Sequence, residues 1–363
     1  MQTLLEALGE RLYEQAMNDS VISLGCGARM NEILSGKKIS VACLGASITC
    51  GYHATADGTG KAFPQFLKEL LEKKTGAEVE MNNLAVSGTN SLTGMLVTQI
   101  FLPRLKPDIV VLEYSINEES HPIGLEKFES LLRMLLSMEW KPVVLPVAVF
   151  NRDGYSCQEY MLHFSKHYGL PMAGLYQSVY PLITSGVLPM DVYTEDEGHP
   201  HVDGHEFIAK CIMKTIERSA AENAAFLPLP PKVTDARFED LRLLDLKELT
   251  KDTCEDTSCP DPMFGSCRSK LKDRRRLIFE TTLECSDLVV MYIKNKDKDF
   301  AAADLLSDGK RAGGFNGSGL FGWNNPWTEL IMSDSEKRLR TLRLETIRGD
   351  ENKELHLVAV ACC

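Results

Sequence analysis

From about residue 38 to residue 221, short apolar runs alternate with helical stretches, and this alternation constrains the fold more than any other feature. Ile39 to Leu44, Val79 to Ala85, Ile109 to Tyr114 and Val143 to Phe150 read as strands. Phe63 to Lys74, Ser91 to Leu105, Leu125 to Met138 and Glu206 to Ala221 read as helices. Strands that stay apolar along their length must be covered on both faces, so the pattern predicts an α/β unit with a parallel sheet between helices. In such sheets ligands sit at the carboxyl ends of the strands.

The pattern changes after Phe226 to Val233, FLPLPPKV, whose prolines cannot continue a helix. This segment is expected to be a linker, 226–233, between a first domain over 1–225 and a second over 234–363. Beyond it, Leu277 to Leu283, Leu288 to Ile293, Leu339 to Ile347 and Leu355 to Val360 read as strands. Turn signals at Asp308-Gly309, Asn316-Gly317 and Gly349-Asp350 break them up. The expectation is a smaller all-β, antiparallel sandwich domain. Gly317 to Gly322 spells G-x-G-x-x-G but runs into Trp323-Asn324-Asn325-Pro326-Trp327, which cannot open a helix, so it reads as a loop. The basic run Lys270 to Arg276 reads as a solvated strand edge.

The net charge of -11 argues against nucleic acid or an anionic membrane as a partner, since both are met by basic surfaces. Glu6, Glu10, Arg11 and Glu14 interrupt the first twenty residues, which read as an amphipathic helix rather than a signal peptide, and no apolar run reaches the length of a membrane span. Eleven scattered cysteines suit a reducing compartment, so a cytoplasmic location is expected. Cys254, Cys259, Cys267 and Cys285 could be imagined around zinc. No C-x-x-C pair or nearby histidine supports that, and the expectation is no metal and no cofactor.

Two stretches carry the chemistry. In VACLGASITC a strand ends in Gly45-Ala46-Ser47, where a serine hydroxyl would stand exposed at the sheet edge, although a helix cap has the same letters. In DEGHPHVDGH, Asp196 precedes His199 by three residues. A serine becomes a nucleophile when a neutral imidazole takes its proton, and a carboxylate fixes the tautomer, so this turn can supply both partners. A polar loop before the next helix and a histidine metal cluster remain alternatives for the segment. Between the two stretches lie Asn82 to Gly88 and Glu113 to Glu118, each after a strand. A glycine amide and an asparagine side chain there could donate to an oxyanion.

Together these residues resemble the SGNH, or GDSL-like, hydrolases, whose blocks carry serine, glycine, asparagine and histidine in that order. The matching positions are Ser47 in GASIT, Gly88 in NLAVSG, Asn117 in SINE and His199 in DEGHP, over roughly residues 38 to 215. The resemblance implies a flavodoxin-like sheet. It also implies Ser47 as nucleophile, His199 as base, Asp196 as its orienter, and an oxyanion hole from the Ser47 and Gly88 amides and the Asn117 side chain. Ala46 stands where the family has aspartate, and Ser115-Ile116-Asn117-Glu118 replaces G-x-N-D. Both departures point to carbohydrate-esterase branches, some of which resemble a hydrolase domain followed by a carbohydrate-binding sandwich.

The expected reaction is removal of O-acetyl groups from oligosaccharides. The rivals are a lipid esterase, thioesterase or acyltransferase with the same triad, and a carbohydrate-binding protein with an inactive hydrolase domain. His53 is close enough in sequence to Ser47 to line its pocket. In GGFNGSGLFGWNNPW, residues 313–327, glycines surround Phe315, Phe321, Trp323 and Trp327. Glycine-rich chain makes a poor core strand, so at least one of these rings is expected in solvent, with Trp323 and Trp327 the candidates for stacking on sugar.

Overall fold

The apolar runs become the strands of one sheet in the computed structural model. It describes residues 2–54, 61–194, 196–225, 228–271, 275–296 and 299–363, in two units, 1–239 and 240–363. The first unit has β1 (Val21–Ser23), β2 (Lys38–Gly45), β3 (Glu78–Asn83), β4 (Ile109–Glu113), β5 (Val143–Ala148) and β6 (Met172–Gly174). Their order is β1-β6-β5-β4-β2-β3. All neighbours are parallel except β1 on β6. Every residue of β4 and β5 is buried, as continuous apolar strands under two layers must be. The parallel strands are thus wound as in a flavodoxin-like sheet, and the order reverses beside β2, which puts the crevice at the carboxyl ends of β2 and β4.

Helices Phe63–Thr75, Ser91–Leu105, Pro122–Leu136, Gln158–Tyr168 and Val202–Glu222 flank the sheet. The last begins before the expected Glu206, with His201 at its cap. The expected amphipathic start is Leu4–Asp19, opened by a capping box between Thr3 and Glu6 and kinked at Gly9. Among the described residues no helix is long and apolar enough to cross a membrane.

The proline-rich segment does not behave as a free linker. Phe226 and Leu227 lie outside the described residues, but the chain after them packs on the first unit. The Glu129 carboxylate accepts the Val233 and Thr234 amides at 2.6 and 2.7 Å, Arg133 donates to the Pro230 carbonyl at 2.9 Å, and Phe238 is fully buried. The helix has already ended at Asn223, in left-handed backbone, and backbone groups of the extended segment beyond it are taken up by these two side chains. The boundary between units therefore falls after Glu239.

Among the described residues, the strands of the second unit pair antiparallel. Its strands are β7 (Arg242–Leu243), β8 (Cys254–Ser258), β9 (Ser266–Lys270), β10 (Leu277–Asn295), β11 (Ala302–Ser307), β12 (Lys310–Asn316), β13 (Trp323–Thr346) and β14 (His356–Cys362). They form one path, β12-β11-β13-β10-β14-β9-β8, with β7 on β14. The two strands expected over 277–293 are one, interrupted by a register shift between Cys285 and Asp287. Upstream of that shift β10 lies beside the part of β13 that pairs β11; downstream it pairs β14. Side chains from both halves meet in one core, with Ile278, Phe279, Leu342 and Leu344 against Val290, Tyr292, Leu357 and Val360. The sandwich is a single sheet folded over.

One further expectation needs correction. Lys270 is not a solvated edge residue: it is buried, and its ammonium donates to the Leu271 and Glu351 carbonyls. Residues 272–274 of that basic run lie outside the described residues. The four cysteines imagined around zinc divide between clusters, Cys254 and Cys285 in the main core and Cys259 and Cys267 in a smaller one.

Candidate active site

The turn after β2 is built by glycine. A Cβ on Gly45 would lie 2.0 Å from Thr49 Oγ1 and 2.8 Å from the Glu113 carbonyl, so no larger residue fits. Ala46 follows, and Ser47 opens a single helical turn, Ser47–Cys50. Its hydroxyl meets His199 Nε2 at 2.7 Å.

The opposing loop is a tight turn organised by Asp196. One carboxylate oxygen accepts the Gly198 and His199 amides at 2.8 and 2.7 Å, which leaves the other 2.6 Å from His199 Nδ1. Burial alone would raise the Asp196 pKa. The two amides and the His199 imidazole outweigh it and hold the carboxyl well below the usual carboxylate range. An ionised Asp196 favours the tautomer with the proton on Nδ1, leaving the Nε2 lone pair facing the Ser47 hydroxyl. Thr194 Oγ1 donates to the His199 carbonyl at 2.7 Å.

Arg152, four residues past β5, clamps the same loop. Its Nε donates to the Asp196 carbonyl at 3.1 Å, and a terminal nitrogen reaches the Thr194 carbonyl at 2.9 Å and Asp191 at 2.7 Å. Sequence reading passed over Arg152. The available signal was a charged residue just beyond the carboxyl end of a parallel strand.

His53 does more than stand near the serine. Its Nε2 lies 3.0 Å from the Asp196 oxygen that also meets His199. Its backbone is left-handed, φ 62°, a region few non-glycine residues enter but histidine enters more often than most. The Tyr52 ring lies 4.6 Å from that of His199. His53, Asp196 and His199 bring three potential metal-ligand atoms within 4.8 Å of one another.

Gly88 and Asn117 follow the neighbouring strands. The loop after β3 is tied to β2 by Leu84 and Val86 amides on the Cys43 and Gly45 carbonyls, and by Asn83 Nδ2 on the Thr49 carbonyl at 2.7 Å. Gly88 has φ 75°, which a side chain would strain. Glu118 holds the loop after β4 by accepting the Ser91 amide at 3.0 Å. Among the described residues, the Ser47 and Gly88 amides have no hydrogen-bond partner, and Asn117 Oδ1 is buried without one. These are unspent polar groups at the crevice.

Two buried glutamates border this region. Glu113 ends β4 opposite Gly45 and accepts from Thr49 Oγ1 at 3.1 Å; burial pushes its pKa up to about 7. Burial likewise pushes Glu118 up to about 7, against the opposing effect of Ser91. In sequence both bound the block that carries Asn117, but nothing there marked them as buried acids.

In the second unit the four aromatics separate. Phe315 is buried and stacks on Tyr292 with ring centres 4.2 Å apart. Trp327 packs against the core, donates to Glu329 and lies under Lys294 Nζ. Trp323 and Phe321 are 59% and 63% exposed, their rings 6.3 Å apart.

Residues 43–207 match the GDSL-like lipase/acylhydrolase family. That span holds every residue of the relay and both flanking loops. The hydrolase match lies wholly in the first unit. No curated protein matches the sequence significantly. Among solved structures, the fold is similar to a two-domain esterase (CEX) active on acetylated mannans, alone and co-crystallized with mannopentaose. Both comparisons give a TM-score of 0.78 at 22% identity over 95% of this chain, and cover 98% and 97% of those chains, respectively. The shared fold is an α/β domain followed by an antiparallel β domain.

Proposed function

We propose that this chain is a serine esterase that removes O-acetyl groups from oligosaccharides. The observation that carries the reading is the continuous relay from Ser47 Oγ through His199 to Asp196, with contacts of 2.7 and 2.6 Å. Ser47 attacks the ester carbonyl while His199 Nε2 takes its proton, and Asp196 stabilises the imidazolium. The Ser47 and Gly88 amides and the Asn117 side chain receive the oxyanion. His199 returns the proton to the departing sugar oxygen. Water, deprotonated by the same imidazole, then releases acetate from the acyl-enzyme. His53, bonded to Asp196, helps hold the carboxylate in line.

The acetylated-sugar substrate is supported by likeness to an esterase active on acetylated mannans and by the exposed Trp323 and Phe321. The deciding experiment compares an aryl acetate with an aryl octanoate, then measures acetate release from acetylated oligosaccharides. The acetate ester is expected to be the better substrate, with acetate released from the sugar. Preference for octanoate would instead favour a lipid esterase.

Trp323→Ala is expected to raise KM for an acetylated oligosaccharide by about fivefold to tenfold, the scale of one stacking contact, while leaving an aryl acetate unchanged. Trp327→Ala should instead lower the melting temperature, since its ring packs on the core. Equal losses by Trp323→Ala on both substrates would remove the sandwich from recognition.

A further inference from the structure

The second unit contains a polar cluster that the esterase reaction does not use. Cys259 follows β8 and Cys267 lies in β9; the register sets Thr257 opposite Cys267, and the Cys259 amide bonds to the Gly265 carbonyl. The two cysteines are therefore diagonal neighbours on one face of the hairpin. Both are nearly buried, in a small cluster with Ile293 and Phe300.

On the adjoining strand β14, His356 sits opposite Ser269. Its Nδ1 lies 3.8 Å from Cys267 Sγ and 2.6 Å from Ser269 Oγ, and its Nε2 lies 3.4 Å from the Glu354 carboxylate. Thr257 Oγ1 is 3.5 Å from the same sulfur. A thiol therefore faces an imidazole with a carboxylate behind it and a second thiol alongside. We propose that Cys267 is a peroxide-reactive cysteine and Cys259 its resolving partner, so that oxidation closes a disulfide across the β8–β9 hairpin.

The electrostatics follow the geometry. The neighbouring Cys259 thiol, with His356 and Thr257, lowers the Cys267 pKa against the effect of burial. The Cys267 sulfur, helped by Glu354, raises that of His356. A thiolate beside an imidazolium is the reactive form of cysteine. Cys259 moves the other way: the neighbouring Cys267 sulfur and burial raise its pKa, which favours the thiol there.

In the first step the Cys267 thiolate attacks hydrogen peroxide. An S–O bond forms, the O–O bond breaks, and the departing hydroxide takes a proton from His356 to become water. In the second, Cys259 sulfur attacks Cys267 sulfur as its proton leaves. The S–S bond forms, the S–O bond breaks, and hydroxide plus that proton give a second water. Two sulfurs are oxidised and one peroxide is reduced. Exposed Ser258, Gly265 and Ser266 flank the pair in the hairpin.

The test uses the full chain, treated with hydrogen peroxide at neutral pH, alkylated and mapped by peptide mass spectrometry. The expected first product among the eleven cysteines is the linked Cys259–Cys267 peptide. Cys259→Ser should leave Cys267 as a sulfenic acid that dimedone traps, and His356→Gln should slow Cys267 oxidation by about tenfold as its thiolate loses its partner. A different cysteine oxidised first, with the Cys259 and Cys267 peptides still fully alkylated, would overturn the proposal. The wild-type measurement needs no variant to fold and does not depend on esterase activity.

Discussion

Ser47→Ala is expected to lower turnover of an aryl acetate by about 10³-fold or more while leaving the fold intact. The side chain is small, and its hydroxyl bonds to His199 at the crevice rather than to the core. Removing it deletes the nucleophile but opens no large cavity. His199→Ala should cost about as much, and the double variant little more, because groups that act as one relay do not contribute additively. Asp196→Asn should fall in the same range: an amide at that position accepts or donates differently and disturbs the Nδ1–H tautomer that the carboxylate selects. Circular dichroism and thermal melting would establish that the variants are folded. If Ser47→Ala kept more than about a tenth of the activity, another residue would be the nucleophile.

The second large effect is on stability against pH. Glu113 and Glu118 are buried, and both have pKa values raised from 4.5 to about 7. A carboxyl raised on folding contributes stability that is complete below about pH 4.5 and is lost as pH rises toward 7, where the unfolded chain ionises more readily than the folded one. Each pKa unit corresponds to about 1.4 kcal/mol, so each group accounts for up to about 3 kcal/mol. His205 acts in the opposite sense. Burial pushes its pKa down to about 4, so its contribution is present above 6.5 and is lost as pH falls toward 4. The two trends partly cancel below pH 6.5. The clean measurement is therefore the difference between wild type and Glu113→Gln. The variant is expected to lose markedly less denaturation free energy than wild type between pH 5 and pH 8, provided the amide keeps the Thr49 contact. The same loss in both proteins would mean that Glu113 is not the group responsible.

What the sequence revealed follows from where each signal resides. β2, β4 and β5 were legible because burial on both faces leaves a continuous apolar run. β1 and β6 are three residues each, too short for any period, and were missed. Asp196 and His199 stand out because one turn holds both. Arg152 and Glu113 do not, since their partners lie far away in the chain. Cys267 and His356 are separated by 89 residues and meet only through β9 and β14. The turn chemistry at Asp308-Gly309 was plain, and both residues have positive φ. The division of aromatics between core and solvent depended on where β13 begins, with Phe321 in the turn before it, and on the register shift beside Trp323, neither of which glycine-rich letters set.

The folded-over sheet has a mechanical consequence. β10 and β13 traverse both layers of the sandwich, with 19 and 24 residues respectively, so neither layer has a complete strand set of its own. Peeling one away would require the same two strands to release their partners in the other. The unit therefore has no internal seam along which half of it could open while the rest stayed closed. Partial unfolding is expected only at its margins, the edge strands β7, β8 and β12, with the interior opening as a single cooperative step.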